Sequence, residues 1–172
     1  MKKFILLGMA VLGSVALSAC GAGDVGRPGY QSSSAAVQEN PVSSVAPVEN
    51  YDDTLQGLIN CMSDRGYISG DATAMSASII GAKEGYKYQF AHEKSNVTVE
   101  LYEYDLENLN DTATKVHEQV KNTGGFQLQS AQIPATLSPS GKYLMIYTYS
   151  PENDANQQRK DDVENLLKRW KS

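Results

Sequence analysis

The chain has 172 residues, with 20 Asp and Glu against 15 Lys and Arg, a formal net charge of −5, and only 2 cysteines and 2 histidines. That acidic balance lacks the basic footprint that phosphate neutralisation requires, which argues against nucleic acid as a partner. Two cysteines are too few for a disulfide framework, so any folded part must be held by its core.

In chain order, Lys2 and Lys3 come first, followed by an apolar run from Phe4 to Leu17 and small residues leading to Cys20. A positive start, a short apolar run and a small-residue exit make an export signal. The run is shorter than the roughly 20 residues a permanent membrane-crossing helix needs. Leu17-Ser18-Ala19-Cys20 resembles the lipobox of bacterial lipoproteins, in which small residues enter a narrow peptidase cleft and the thiol takes the lipid. The alternative is an ordinary secretory signal that happens to contain a cysteine. The resemblance implies that residues 1–19 are removed and that Cys20 carries a thioether-linked diacylglyceryl group, often with a third acyl chain on the new amine. At ~0.8 kcal/mol per buried methylene, two chains hold a protein stably where one does not. The expected partner of Cys20 is thus the lipid bilayer, and the expected location is the extracytoplasmic face of the cell membrane. Loss of Lys2 and Lys3 leaves 13 basic against 20 acidic residues, so attachment falls to the acyl chains and not to protein charge.

Residues 20–50 read as the lipid anchor followed by a tether. They are rich in Gly, Ser, Ala, Pro and Gln, with Ser32-Ser33-Ser34, Pro41 and Pro47 and no periodic apolar pattern. Thirty residues of such composition have a root-mean-square reach of ~30 Å.

Residues 51–172 read as a single globular domain. Asp52 and Asp53 precede Leu55, Leu58, Ile59 and Met62, the spacing of a helix that stops near Gly66. Asp71 is a candidate cap for a second helix carrying Met75, Ile79 and Ala82. The period then becomes two: Tyr86, Tyr88 and Phe90, then Val97, Val99 and Leu101, form a hairpin around residues 92–96. Asp105 is read as the cap of a third helix with Leu106, Leu109, Ala113, Val116 and Val120, ended by Gly124-Gly125. Phe126 to Ser130 is a weaker strand, Ser138-Pro139-Ser140-Gly141 a turn, and Lys142 to Tyr149 a strong strand, apolar or aromatic on both faces and placed centrally. Ser150-Pro151 starts a last helix with the stripe Ala155, Arg159, Val163, Leu166, Leu167 and Trp170. The fold class is therefore α+β: two N-terminal helices, then ββαββα, an antiparallel sheet with helices packed mainly on one face.

Gly81-Ala82-Lys83-Glu84-Gly85-Tyr86 and Val99-Glu100-Leu101-Tyr102-Glu103-Tyr104-Asp105 resemble a set of small lipoproteins of Gram-positive bacteria whose activity is unassigned. The resemblance spans residues 51–172 and carries no catalytic motif.

Chemistry-bearing patterns are scarce. His92 and His117 have no second ligand at helical spacing, and neither Asp52-Asp53 nor Asp161-Asp162-Glu164 has the alternation of a calcium loop, so no metal or cofactor is expected. No Gly-x-Ser-x-Gly, Ser-x-x-Lys or phosphate loop occurs. Cys61, next to Leu58, Ile59 and Met62, is expected to be a structural thiol. The expected function is a binding or accessory interaction module for an envelope protein, peptide or other envelope component. The alternatives are a cell-surface hydrolase with an unrecognised site and a structural envelope protein. The candidate ligand contacts are Tyr102, Tyr104, Tyr147 and Tyr149. They are placed with Tyr143 on a half-wet aromatic face opposite an aliphatic set of Val97, Val99, Leu101, Leu144 and Ile146. The competing placement has the same rings covered by helices as core. The anchor has a direct check: mass spectrometry of the mature chain should find its amino terminus at acylated Cys20, with Cys20→Ala left as unlipidated precursor, and a free Cys20 terminus would remove the lipoprotein reading.

Overall fold

The computed structural model describes residues 45–172. The expected signal segment, Cys20 and the expected tether up to residue 44 lie outside the described residues. Among the described residues no helix is long and apolar enough to cross a membrane.

Helix α1 (Leu55–Asp64) begins at Thr54, whose hydroxyl accepts from Gly57 N at 3.0 Å, so the cap is Thr54 and not the two aspartates before it. Asp53 is used elsewhere: it accepts from the Tyr143 hydroxyl at 2.9 Å and sits 3.6 Å from Lys142 Nζ. The helix stops where expected. Gly66 takes φ +67, and Tyr67 N donates back to Met62 O at 2.8 Å, the reversal that only a residue tolerant of left-handed backbone makes cheaply.

The expected second helix is absent. Residues 71–82 form instead a two-residue strand β1 (Thr73–Ala74) and a 3-10 turn over Ala77–Ile80. Thr73, Ser76 and Ser78 are weak helix formers in a segment too short to be helical unaided. The outer edge of the next strand offers its backbone groups better partners. Thr73 pairs with Lys87, Ala74 with Tyr86, and Met75 N donates to Gly85 O at 2.9 Å.

The hairpin is β2 (Glu84–His92) and β3 (Ser95–Glu103), paired along its whole length. Helix α2 (Asp111–Thr123) starts later than read: Asn110 is the cap, accepting from Ala113 N at 2.9 Å. Asp105 closes a turn on Glu107 N and Asn108 instead, which leaves Leu106 and Leu109 exposed and off the helix. After Gly124 comes a second hairpin in a separate two-stranded sheet: β4 (Gly125–Leu128), the weaker strand expected from Phe126, pairs with β5 (Ala131–Pro134), which the sequence does not mark. The Gln119 side chain of α2 accepts from Gln127 N at 2.8 Å, tying this hairpin to the helix. A two-residue β6 (Thr136–Leu137) leads into β7 (Tyr143–Ser150). Helix α3 (Asp154–Leu167) is capped by Asn153, three residues after Ser150, and buries Asn156, Val163, Leu166 and Leu167, whereas Ala155 is exposed.

The main sheet has the order β1-β2-β3-β7-β6, antiparallel throughout, with β3 in the middle and β7 an interior strand paired on both sides, as its two apolar faces lead one to expect. The protein is α+β with a largely antiparallel sheet, but its helices do not keep to one face. On one side α1, α3 and the turn after α3 bring Leu58, Met62, Val163, Leu167 and Trp170 against Val97, Val99, Leu101, Met145 and Tyr147. On the other, α2, the 3-10 turn and Phe126 of β4 pack Ala77, Ile80, Val116 and Val120 against Tyr102, Tyr104, Leu144 and Ile146. A sheet apolar on both faces at its middle needs cover on both.

The domain also begins before Tyr51. Arg65 Nη2 donates to Ala46 O at 2.7 Å and Lys171 Nζ to Val48 O at 3.2 Å, while Val48 packs on the core beside α1 and α3. Residues 46–50 are thus part of the fold and not tether. A chain of 51–172 should melt in urea at a lower midpoint than one of 45–172, by the equivalent of about 1 kcal/mol or more. Superimposable melts would restore the boundary at Tyr51.

Candidate ligand groove

The register between β3 and β7 decides what each face carries. Leu101 stands opposite Met145 and Val99 opposite Tyr147, whereas Tyr102 stands opposite Leu144 and Glu100 opposite Ile146. Tyr143, Tyr147 and Tyr149 therefore share a face with Val97, Val99 and Leu101, and Tyr102 shares the other with Leu144 and Ile146. The expected separation of an aliphatic face from an aromatic one is overturned. It required a pairing shifted by one residue, which moves every side chain of a strand to the opposite face.

Burial completes the correction. Tyr102, Tyr104 and Tyr147 are 5%, 1% and 3% exposed. The Tyr102 ring lies over Gly85, where a side chain of any size would collide with it. Tyr104 donates to Ile80 O at 3.3 Å and meets the His117 ring edge-on at 4.4 Å. Tyr147 faces α3, and the half-buried Tyr149 beside it donates to Gln157 Oε1 at 2.8 Å. The four tyrosines form no common surface: Tyr102 lines a groove on the α2 face, and Tyr104 a separate smaller cleft with Lys83, Asp105 and Lys142.

The groove lined by Tyr102 encloses about 780 Å³, a volume in the range of small-molecule sites. One wall is the segment from Met75 through the 3-10 turn, with Met75, Ile79 and Ile80; the other is the β4–β5 hairpin, with Phe126, Leu128 and Ile133. The floor is one row across four strands, Thr73 of β1, Lys87 of β2, Glu100 of β3 and Ile146 of β7, each opposite the next in the register. At one end Ile80, Phe126 and Tyr102 are buried, so the groove is closed and apolar there. Toward the other end the next row, Gln89, Thr98 and Thr148, is polar and uncovered. The groove exists because the 13 residues of α2 cover only the Tyr102–Leu144 end of the face.

The groove's polar groups are few. The Tyr102 hydroxyl donates to Glu100 Oε2 at 2.8 Å. Burial first, and then the Glu100 carboxylate, push its pKa well above the usual tyrosine value, so it stays a donor. Lys87 is half-buried on the floor, and its ammonium makes no hydrogen bond or ion pair among the described residues. Ile79 stands at the rim, 61% exposed. Of these, sequence reading singled out only Tyr102 as a contact. Met75 and Ile79 are legible as apolar positions of the expected second helix and Ile146 as one of the aliphatic set, and nothing local marks Lys87 or Ile133.

Other chemistry-bearing residues are used in the fold. Cys61 is fully buried, 2.9 Å from Arg65 Nη1, with burial raising its thiol pKa. His117 is buried, and burial followed by the nearby Lys121 charge lowers its pKa. Asp161 and Asp162 accept from Gln157 and Gln158 one turn earlier on α3. Among the described residues no group of three His, Cys, Asp or Glu is placed to hold a metal ion. The chain matches no protein-family model, no curated protein and no solved structure.

With both rings in the core, Tyr102→Ala and Tyr147→Ala should each lower stability by about 3–5 kcal/mol in urea melts. Tyr102→Phe, which loses one hydrogen bond, should lower it by only about 1 kcal/mol. Alanine variants that melt like the wild type would return these rings to the surface.

Proposed function

We propose that the chain is a lipoprotein held at the extracytoplasmic face of the cell membrane by acyl chains on Cys20, and that its domain is a binding module for an apolar part of an envelope component. The observation that carries the binding reading is the groove: apolar walls, one closed end and an exposed Ile79 at the rim. Each apolar Å² removed from water there contributes roughly 25 cal/mol, so an acyl chain or an apolar peptide segment gains several kcal/mol by entering. The Leu17-Ser18-Ala19-Cys20 motif supports the anchor, and the composition of residues 21–44 supports a tether that keeps the domain near the bilayer at high effective concentration. A membrane, or an envelope protein displaying an apolar segment, is the partner this arrangement suits.

The test uses the mature lipidated chain in vesicles of a neutral diglycosyl-diacylglycerol, exposed to a monoacylglycerol bearing a diazirine in its chain. Photolabel should concentrate on peptides containing Ile80, Phe126 or Ile146. Ile79→Asp should reduce it several-fold while leaving the melting midpoint within about 0.5 kcal/mol, as for other exposed positions. Label spread evenly over the domain would end the proposal.

A further inference from the structure

Two features of the groove floor remain unexplained by apolar binding. Lys87 and Glu100 are direct cross-strand partners, with Cβ atoms about 5 Å apart, a spacing at which opposite charges ordinarily close into an ion pair. Here they do not. Glu100 turns to the Tyr102 hydroxyl, and Lys87 Nζ finds no carboxylate oxygen within 4.0 Å among the described residues. The floor thus presents a cation and an anion side by side, both half-buried and both open to a further partner. The deep end beyond them is apolar and closed by Ile80, Phe126 and Tyr102.

We infer that the groove takes an amphipath with one apolar chain and a zwitterionic phosphate–ammonium head, the phosphate on Lys87 and the ammonium on Glu100. The inference rests on the binding reading above and adds the chemistry of the ligand. A purely anionic head satisfies Lys87 but sets a negative charge against Glu100, and a cationic head does the reverse. A neutral head leaves both charges partly desolvated and unmatched. Only a head carrying both signs complements both side chains, and selectivity arises as much from the mismatch of the others as from its own contacts. The order across the sheet gives the head a direction. Thr73 flanks Lys87 and adds a hydroxyl on the phosphate side, while Ile146 flanks Glu100 beside the apolar interior. The Tyr102 hydroxyl, held protonated, fixes the Glu100 carboxylate, which makes Tyr102 a positioning residue.

The test compares three single-chain photolipids with the same diazirine-bearing acyl chain and a phosphoethanolamine, phosphoglycerol or glycerol head. They are offered to the mature lipidated chain in the same neutral glycolipid vesicles. Labelling of groove peptides should favour phosphoethanolamine about ten-fold over the other two, the factor carried by one charge-assisted hydrogen bond. Lys87→Met should weaken both phosphate-bearing probes and spare the glycerol one. Glu100→Gln, which still accepts from Tyr102, should erase the preference for phosphoethanolamine over phosphoglycerol. Equal groove labelling by all three heads, or an advantage of phosphoethanolamine over glycerol that Lys87→Met leaves undiminished, overturns the head assignment and leaves the groove itself standing. Absence of groove labelling even by the glycerol probe overturns the binding reading instead. A diacyl phosphoethanolamine probe that labels the groove more strongly than the single-chain one overturns the single-chain assignment and moves the source to bilayer lipid.

Discussion

The structure depends on one pairing, the antiparallel ladder between β3 and β7 that sets Leu101 against Met145 and Tyr102 against Leu144. The two strands come from parts of the chain separated by α2 and the second hairpin, and the ladder decides which half of their side chains faces which layer of helix. Both halves are apolar at the middle of the sheet, so both faces must be covered. The two resulting cores, Val99, Leu101, Met145 and Trp170 on one side and Tyr102, Leu144, Phe126 and Val120 on the other, lie on opposite sides of the strands.

The two covers differ in extent, and the difference creates the groove. On the first face α1 and α3 together bury Tyr88, Val97, Val99, Leu101, Met145 and Tyr147. On the second, α2 lies over one end, the 3-10 turn stands at the edge beyond β1, and the β4–β5 hairpin stands over β7. Between these last two the row Thr73–Lys87–Glu100–Ile146 is left as an open floor. An apolar wall beside unsatisfied charge is a poor arrangement for stability alone, since a half-buried charge gains most when it is paired. The same arrangement suits a surface that takes an amphipathic partner.

Many polar side chains elsewhere are tied down, although the Tyr147 hydroxyl and Trp170 Nε1 are buried without a partner among the described residues. Lys142 bridges Asp53 and Glu103, Glu164 sits between Lys160 and Lys168, and Asn156 reaches the His92 carbonyl at 3.0 Å from the start of α3. The Arg159 guanidinium stacks over Tyr67 and Phe90. Against that background Lys87, with no partner among the described residues, stands out by its position and not by its residue type.

The sequence by itself determined what is local. The stripe Leu55, Leu58, Ile59 and Met62 with its stop at Gly66, the alternation that makes the β2–β3 hairpin, the end of α2 at Gly124 and the buried run from Val163 to Trp170 all follow from side-chain period and from residues that end helices. The choice among neighbouring caps was less legible, because Asp105 and Asn110, or Ser150 and Asn153, offer the same chemistry a few residues apart. Tertiary structure alone decided that residues 71–82 become an edge strand and a 3-10 turn, that a second hairpin follows α2, and that the tyrosines divide between two faces. Each of these depends on which backbone group is nearby once the sheet has formed, and a period-2 strand carries no information about whether its neighbour pairs in one register or the next. The groove is the furthest from sequence of all. Its floor joins Thr73, Lys87, Glu100 and Ile146 from four separate strands, and no residue in that row signals the others until the ladders place them side by side.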